Sequence, residues 1–284
     1  MRKSRDKIKE ALRICFLISI SLLFSSITSF GQEAKPIVPI HAFEVGLSLS
    51  YFDYQEEAGT IDPEWDGFMY GVIGSYTYHN QIMLNTSLEF TYGDLDYDGG
   101  VQFDGIAPYE EDSQDWILEW RGLVGYDFTT NRHLITPFVG IGYRYWNDDI
   151  EGPFGYEREI EYWYSPIGIK TVCPLSGAWT WGISAEYDLF WSGKVKSHLS
   201  DLLDGLNDPE VDQNAGDGYG LKFSLRFNRA FANSSALSIE PYISYWDIDE
   251  SDLGTLTFLG EPIGIVWEPE NETLSYGIRV SWQF

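Results

Sequence analysis

Apolar and polar residues alternate with a period of two through most of this chain, in short blocks rather than long runs. Blocks at 41–55, 68–79, 82–93, 115–129, 133–147, 161–174, 179–192, 218–229, 236–248 and 272–284 predict ten β-strands. In the seventh, Trp179, Trp181, Ile183, Ala185, Tyr187, Leu189 and Trp191 share one face, and Thr180, Gly182, Ser184, Glu186 and Asp188 share the other. In the eighth, Tyr219, Leu221, Phe223, Leu225 and Phe227 oppose Gly220, Lys222, Ser224, Arg226 and Asn228. The connections near 80, 130, 176 and 232 are short; those at 57–67, 94–114, 148–160, 193–217 and 249–271 are long. Short and long alternate strictly, as they do when short turns face the periplasm and long loops face outside. No repeat or linker divides the chain, so one domain is expected over 32–284.

A soluble sandwich also alternates, and the two ends of the chain decide which way the polar face points. Arg2, Lys3, Arg5, Lys7, Lys9 and Arg13 precede an apolar run from Ile14 to Phe24, followed by Ser29-Phe30-Gly31. That is the pattern of a secretory signal peptide over 1–31. The run is too short for a bilayer core of about 30 Å. At the other end Leu274, Tyr276, Ile278, Val280, Trp282 and Phe284 alternate with Ser275, Gly277, Arg279, Ser281 and Gln283. This ending resembles the insertion signal of Gram-negative outer-membrane barrels. The expected fold is all-β: a transmembrane, antiparallel, up-and-down β-barrel of about ten strands in the cell outer membrane. A chain without long apolar segments crosses lipid only as a closed barrel, because every backbone donor and acceptor there needs a partner.

Charge narrows the partners. The formal net charge is −26, and removing the leader's six basic and two acidic residues takes it to about −30. Such a chain does not bind nucleic acid through phosphates, whereas cations and basic peptides suit it. Aromatics make up 17% of residues, as expected where Tyr and Trp sit at two membrane interfaces. Beyond Cys15 of the leader, Cys173 stands alone, so no internal disulfide forms. Four histidines without a second cysteine make no zinc pattern, and no metal or cofactor is expected.

Extending the alternation assigns Glu44, Glu89, Glu119, Arg121, Asp127, Arg144, Lys170, Glu186, Asp188, Lys222, Arg226, Glu240 and Arg279 to the lumen. Acids and bases nearly balance there, which leaves the excess acid for the loops. Asp94, Asp96, Asp98, Asp104, Glu110, Glu111 and Asp112 fall in the second; Asp201, Asp204, Asp208, Glu210 and Asp212 fall in the fourth. A ten-stranded barrel is slightly wider than the eight-stranded one that side chains fill. A paired charge network is therefore expected in the lumen rather than an open pore.

Two features carry candidate chemistry: Asp94-Leu95-Asp96-Tyr97-Asp98 after the third strand, and His198 after the seventh. Close carboxylates drive one another's pKa values apart, and a histidine facing them can polarise water. The alternative for each is bland: a solvated acidic loop and an incidental histidine. At these residues the chain resembles the omptins, ten-stranded outer-membrane proteases with an Asp-x-Asp pair in the second loop and an Asp-x-His pair in the fourth. Asp96-Tyr97-Asp98 matches the first pair, and His198 falls at the histidine of the second. Shorter echoes occur at Glu157-Arg158-Glu159-Ile160 and Pro166-Ile167-Gly168-Ile169. The resemblance implies Asp96, Asp98 and His198 as catalytic residues, lipopolysaccharide as a bound lipid, cleavage beside basic residues and a monomer. Lys196 stands where the family has the second aspartate, and a cation there does not orient an imidazole. Carried on from the third strand, parity points Asp96 and Asp98 outward unless a bulge re-aims them.

Three readings follow: an omptin-like endopeptidase acting on basic peptides, a non-catalytic barrel whose acidic loops bind a cationic partner, and a narrow channel or structural barrel.

Overall fold

The computed structural model describes residues 38–59, 61–102, 106–130, 133–232 and 234–284. The leader and Asp104 lie outside these residues. In chain order the strands are β1 (His41–Glu56), β2 (Glu64–Asn80), β3 (Ile82–Gln102), β4 (Ile106–Tyr126), β5 (Phe128–Thr129), β6 (Leu134–Ile150) and β7 (Glu157–Pro174). They continue with β8 (Trp179–Ser197), β9 (Glu210–Gln213), β10 (Gly218–Ala230), β11 (Ala236–Ile248), β12 (Gly254–Phe258), β13 (Glu261–Val266) and β14 (Asn271–Gln283). A 3-10 turn, Leu199–Asp201, follows β8.

Ten of these strands are barrel staves: β1, β2, β3, β4, β6, β7, β8, β10, β11 and β14. Each runs antiparallel to the next, and the β8–β10, β11–β14 and β14–β1 ladders close the sheet on itself. Closure pairs each stave with two neighbours and leaves no edge in lipid. β5 continues β4 beyond Asp127, which pairs with His79 at 2.8 Å and accepts from Thr136 at 2.6 Å, at the short-turn end rather than deep in the lumen.

The staves reach further outward than the sequence blocks suggested. The stretch 94–114, expected as a loop, is mostly a continuation of the β3–β4 ladder from Asp94↔Gln114 to Gln102↔Ile106. Likewise β6 runs to Ile150, β7 starts at Glu157, β8 runs to Ser197, and the last long connection contains the β12–β13 hairpin. The physical reason is an inversion of polarity at constant period. In β1 the odd positions Phe43, Val45, Leu47 and Leu49 face outward and are exposed, Leu47 by 66%. The even positions Glu44, Ser48 and Ser50 face the lumen. Beyond Tyr51 the even positions become apolar, with Phe52 and Tyr54 fully buried, and the odd ones become Asp53 and Gln55. Lipid surrounds the lower part of the wall and water the upper part, so apolar residues face out in one and in in the other.

The result is an apolar belt below and a packed core above. Tyr54 lies 4.7 Å from Trp146 and 5.3 Å from Trp65, ring to ring, and Trp65 lies 4.5 Å from Tyr97. Tyr162, Tyr164, Phe190 and Trp246 extend this layer across the barrel mouth. β8 follows the inversion through a bulge, where Trp163↔Ser192 and Tyr164↔Phe190 leave Trp191 as the extra residue. That shift turns Val195 inward and Lys196 outward.

Candidate functional site

Asp96 and Asp98 sit on the outward face of β3, and both are exposed. The β3–β4 register runs without a shift, so no bulge re-aims them. Their neighbours Leu95 and Tyr97 take the interior positions. His198 closes the outer end of β8, with Nε2 2.7 Å from Glu159 and Nδ1 3.7 Å from Asp208. The hydrogen bond from His198 holds the Glu159 carboxyl below its usual range, with Tyr145 and Lys196 adding to it against partial burial. Lys196 lies 3.7 Å from the same carboxylate. Staves β4, β6 and β7 separate β3 from β8. The two aspartates share one face; the histidine lies nearly across the barrel on another outward face and joins a different cluster.

What surrounds Asp96 and Asp98 is more carboxylate. One row of register partners runs Asp53↔Asp66, Asp66↔Asp96 and Asp96↔Asp112 across β1, β2, β3 and β4. The row above runs Glu64↔Asp98 and Asp98↔Glu110. Directly opposed side chains in an antiparallel sheet have Cβ atoms about 4.5–5.5 Å apart, and like charges there repel. The sequence holds no Lys or Arg between Lys35 and Arg121, so this wall carries no cation of its own. Tyr51 donates to Asp66, and Tyr92 donates to Asp94 at 2.8 Å.

Inside the mouth lies a second, buried charge cluster. Arg158 reaches Glu56 at 2.6 Å, Asp148 at 3.0 Å and Glu268 at 3.6 Å, and its guanidinium lies 4.3 Å from the centre of the Trp65 ring. Tyr54 donates to Glu268 at 2.8 Å, and Trp146 donates to Asp115 at 2.6 Å. The outward residues at this level are polar, including Gln55, Asp149 and Glu159, so the cluster lies above the lipid belt. Burial pushes Asp148 and Glu268 up to about 8, partly countered by Arg158. Sequence reading missed Glu56, Asp148, Arg158 and Glu268 because it ended the strands too early or placed them in loops. The available signal was Phe52-x-Tyr54-x-Glu56 and Trp146-x-Asp148-x-Ile150, which keep the strand period after the polarity inverts.

Below the aromatic layer the expected lumen network is present. Arg121 pairs with Glu186, and Lys222 with Glu119. Arg226 meets Glu44 at 2.5 Å and Glu240 at 3.3 Å, while Arg279 meets Glu89 at 2.8 Å and Glu240 at 3.5 Å. These residues, with Arg144 and Lys170, line a cavity of about 280 Å³. Its upper lining includes Phe52, Ile117 and Trp246 of the aromatic layer.

Among the described residues, two groups bring three possible metal-ligand atoms within 4.8 Å of one another: Glu157, Glu159 and His198, and Asp247, Asp249 and Glu270. In the first, Asn147 donates to Glu157 at 2.6 Å and His198 already occupies Glu159. Cys173 lies 3.0 Å from His133 Nδ1 and is a free thiol.

No family model matches the chain, and no curated protein matches it. Among solved structures it is similar to the outer membrane protease OmpT from Escherichia coli, with a TM-score of 0.64 at 9% identity, covering 91% of this chain and 99% of that one. It also matches Ail of Yersinia pestis, with a TM-score of 0.35 at 10% identity, covering 87% of this chain and all of that one (100%). A major outer membrane protein from Thermus thermophilus matches with a TM-score of 0.34 at 10% identity, over 84% of this chain and 99% of that one. The likeness to OmpT is one of fold. With the closed ten-stave wall and its apolar belt, it makes this chain an outer-membrane β-barrel.

Proposed function

We propose that this protein is a closed, non-catalytic outer-membrane barrel whose acidic outer wall binds a cationic partner, a basic peptide or protein. The observation that carries the reading is the double row of opposed carboxylates on the outward face of β1, β2, β3 and β4, in a stretch without Lys or Arg. Opposed like charges raise the free energy of the bare wall by roughly 0.2–1 kcal/mol a pair. A polycation neutralises several at once, so binding relieves a cost already present in the fold. The aromatic layer across the mouth supports a binding role over conduction, because side chains fill the path an ion would take. A surface endopeptidase using Asp96, Asp98 and His198 needs these three to meet on one substrate, and their placement on separate walls supports the binding reading instead.

The test is calorimetric titration of the barrel, refolded in detergent with lipopolysaccharide, with oligolysine. Binding is expected to weaken steeply between roughly 20 mM and 0.5 M salt, as screening shortens the reach of surface charge. It should weaken at least tenfold in an Asp66→Asn, Asp96→Asn, Asp98→Asn, Asp112→Asn variant. Unchanged affinity in that variant would sink the reading. Cleavage of a dibasic fluorogenic peptide, abolished by both Asp98→Ala and His198→Ala, would replace it with the peptidase.

A further inference from the structure

The β12–β13 hairpin is not a barrel stave. Its two strands form a separate sheet standing above the outer end of β11 and β14. One face lies on the molecule: Val266 packs against the aromatic core, and Val211 lies close to Gly254. The other face is open and carries apolar side chains of β13, with Thr255 of β12 opposite Ile265. Ile263 is 58% exposed, Ile265 61% and Trp267 47%, and the turn residue Leu259 is 77% exposed. Sheet faces turned to water are ordinarily polar, and an apolar patch of this kind marks an interaction surface.

The edges of the hairpin differ in the same sense. β12 is covered by the fourth loop: Thr257 donates to Asn207 Oδ1 at 2.6 Å, Asn207 N donates to Thr257 O at 3.2 Å, and Leu259 N donates to Gly205 O at 2.7 Å. β13 pairs with β12 alone, and among the described residues no strand lies on its second side. Apart from Pro262, which has no N–H, such an edge offers backbone donors and acceptors to an added strand.

Charge indicates what would dock. The sequence has no Lys or Arg between Arg229 and Arg279, while Glu250, Asp252, Glu261 and Glu270 flank the hairpin, all exposed. A second copy of this chain would bring the same carboxylates against them. Lipid is kept away by the acidic tier of Asp247, Asp249, Glu270 and Glu272, which lies between the belt residues Tyr276 and Ile278 and the hairpin.

We infer that the free edge of β13 is a docking site for an extended segment of a basic polypeptide, which adds as a further strand. Its apolar side chains lie on Ile263, Ile265 and Trp267, and its basic ones reach the flanking carboxylates. This rests on the cationic-partner reading and names a place and a mode of binding that the wall of opposed carboxylates does not provide.

Three synthetic probes separate the two ideas when titrated into the full barrel: an alternating Lys-Val peptide, the same peptide N-methylated at alternate amides, and oligolysine of equal charge. The Lys-Val peptide should bind at least tenfold more tightly than oligolysine. N-methylation should remove that advantage, and so should Ile263→Ser with Ile265→Ser, or the gentler Ile265→Thr with Ile263→Thr, while oligolysine binding stays unchanged in both variants. Equal affinity of the N-methylated peptide, or an undiminished Lys-Val advantage in both variants, would overturn the proposal. A dimer dispersed by the Ile variants, or Trp267 fluorescence shifted by lipid vesicles alone, would also overturn it by naming another occupant. Failure of the wall reading shows separately, as oligolysine binding indifferent to the four aspartates.

Discussion

The lower and upper parts of the barrel wall obey the same backbone period with opposite chemistry. On β1, Leu47 and Asp53 both point outward, and Ser48 and Tyr54 both point inward. Leucine faces lipid and serine the lumen below; aspartate faces water and tyrosine a packed core above. The strand does not change; its surroundings do. The lower half is a membrane barrel, and the upper half is a soluble barrel built on the same staves. Charge is therefore handled in two ways: dispersed among ion pairs below, and concentrated on one guanidinium, Arg158, above.

The largest difference between the two halves is expected at Arg158. Arg158→Met leaves Glu56, Asp148 and Glu268 without their buried cation, a loss of about 3–5 kcal/mol. Hydrogen exchange should show it confined to the outer ends of β1, β6 and β7. Equal loss of protection in the membrane belt would mean that the two halves unfold as one. Next in size, Leu47→Arg places a charge in the lipid belt, a cost of about 2–4 kcal/mol at the bilayer midplane. Refolding yield into vesicles reads it, and Asp53→Arg on the same face, three repeats of the pleat further out, should cost little. Indifference to Leu47→Arg would place the belt elsewhere.

Acidity sharpens the contrast further. Asp148 and Glu268 have folded pKa values of about 8, above their unfolded ones, so folding takes up protons. Their contribution to stability is fully present below the unfolded carboxylate range, about 4, and is lost as pH rises toward 8. The outer half should thus resist proteolysis better at pH 5 than at pH 8, a trend reduced by Asp148→Asn. A trend of the opposite sign would refute the assignment. Smallest is the wall itself: Asp96→Asn should stabilise the β3–β4 hairpin by roughly 0.2–1 kcal/mol, read by thermal melting, while weakening oligolysine binding. A destabilised hairpin would mean that Asp96 makes a favourable contact in the wall.

Strand count, antiparallel order, the lipid-facing residues and the lumen charges other than Asp127 were legible in the chain itself. A period-two alternation of apolar and polar residues is a local property, written residue by residue in β8 and β10, and closure follows from the demand that every backbone group in lipid be paired. The outward aim of Asp96 and Asp98 was equally legible, because parity carries through an unbulged strand. Other features depended on distant segments meeting. The extent of β3 and β4 beyond the membrane depends on Leu95 and Tyr97 finding Trp65 and Ile117 in one core. Arg158 collects carboxylates from the end of β1, from β6 and from the segment after β13, which no spacing in the sequence connects. The separation of His198 from Asp96 depends on barrel order, since three staves intervene. Local pattern determines which face a side chain takes; only closure of the barrel decides which faces share an interior and which stand on opposite walls.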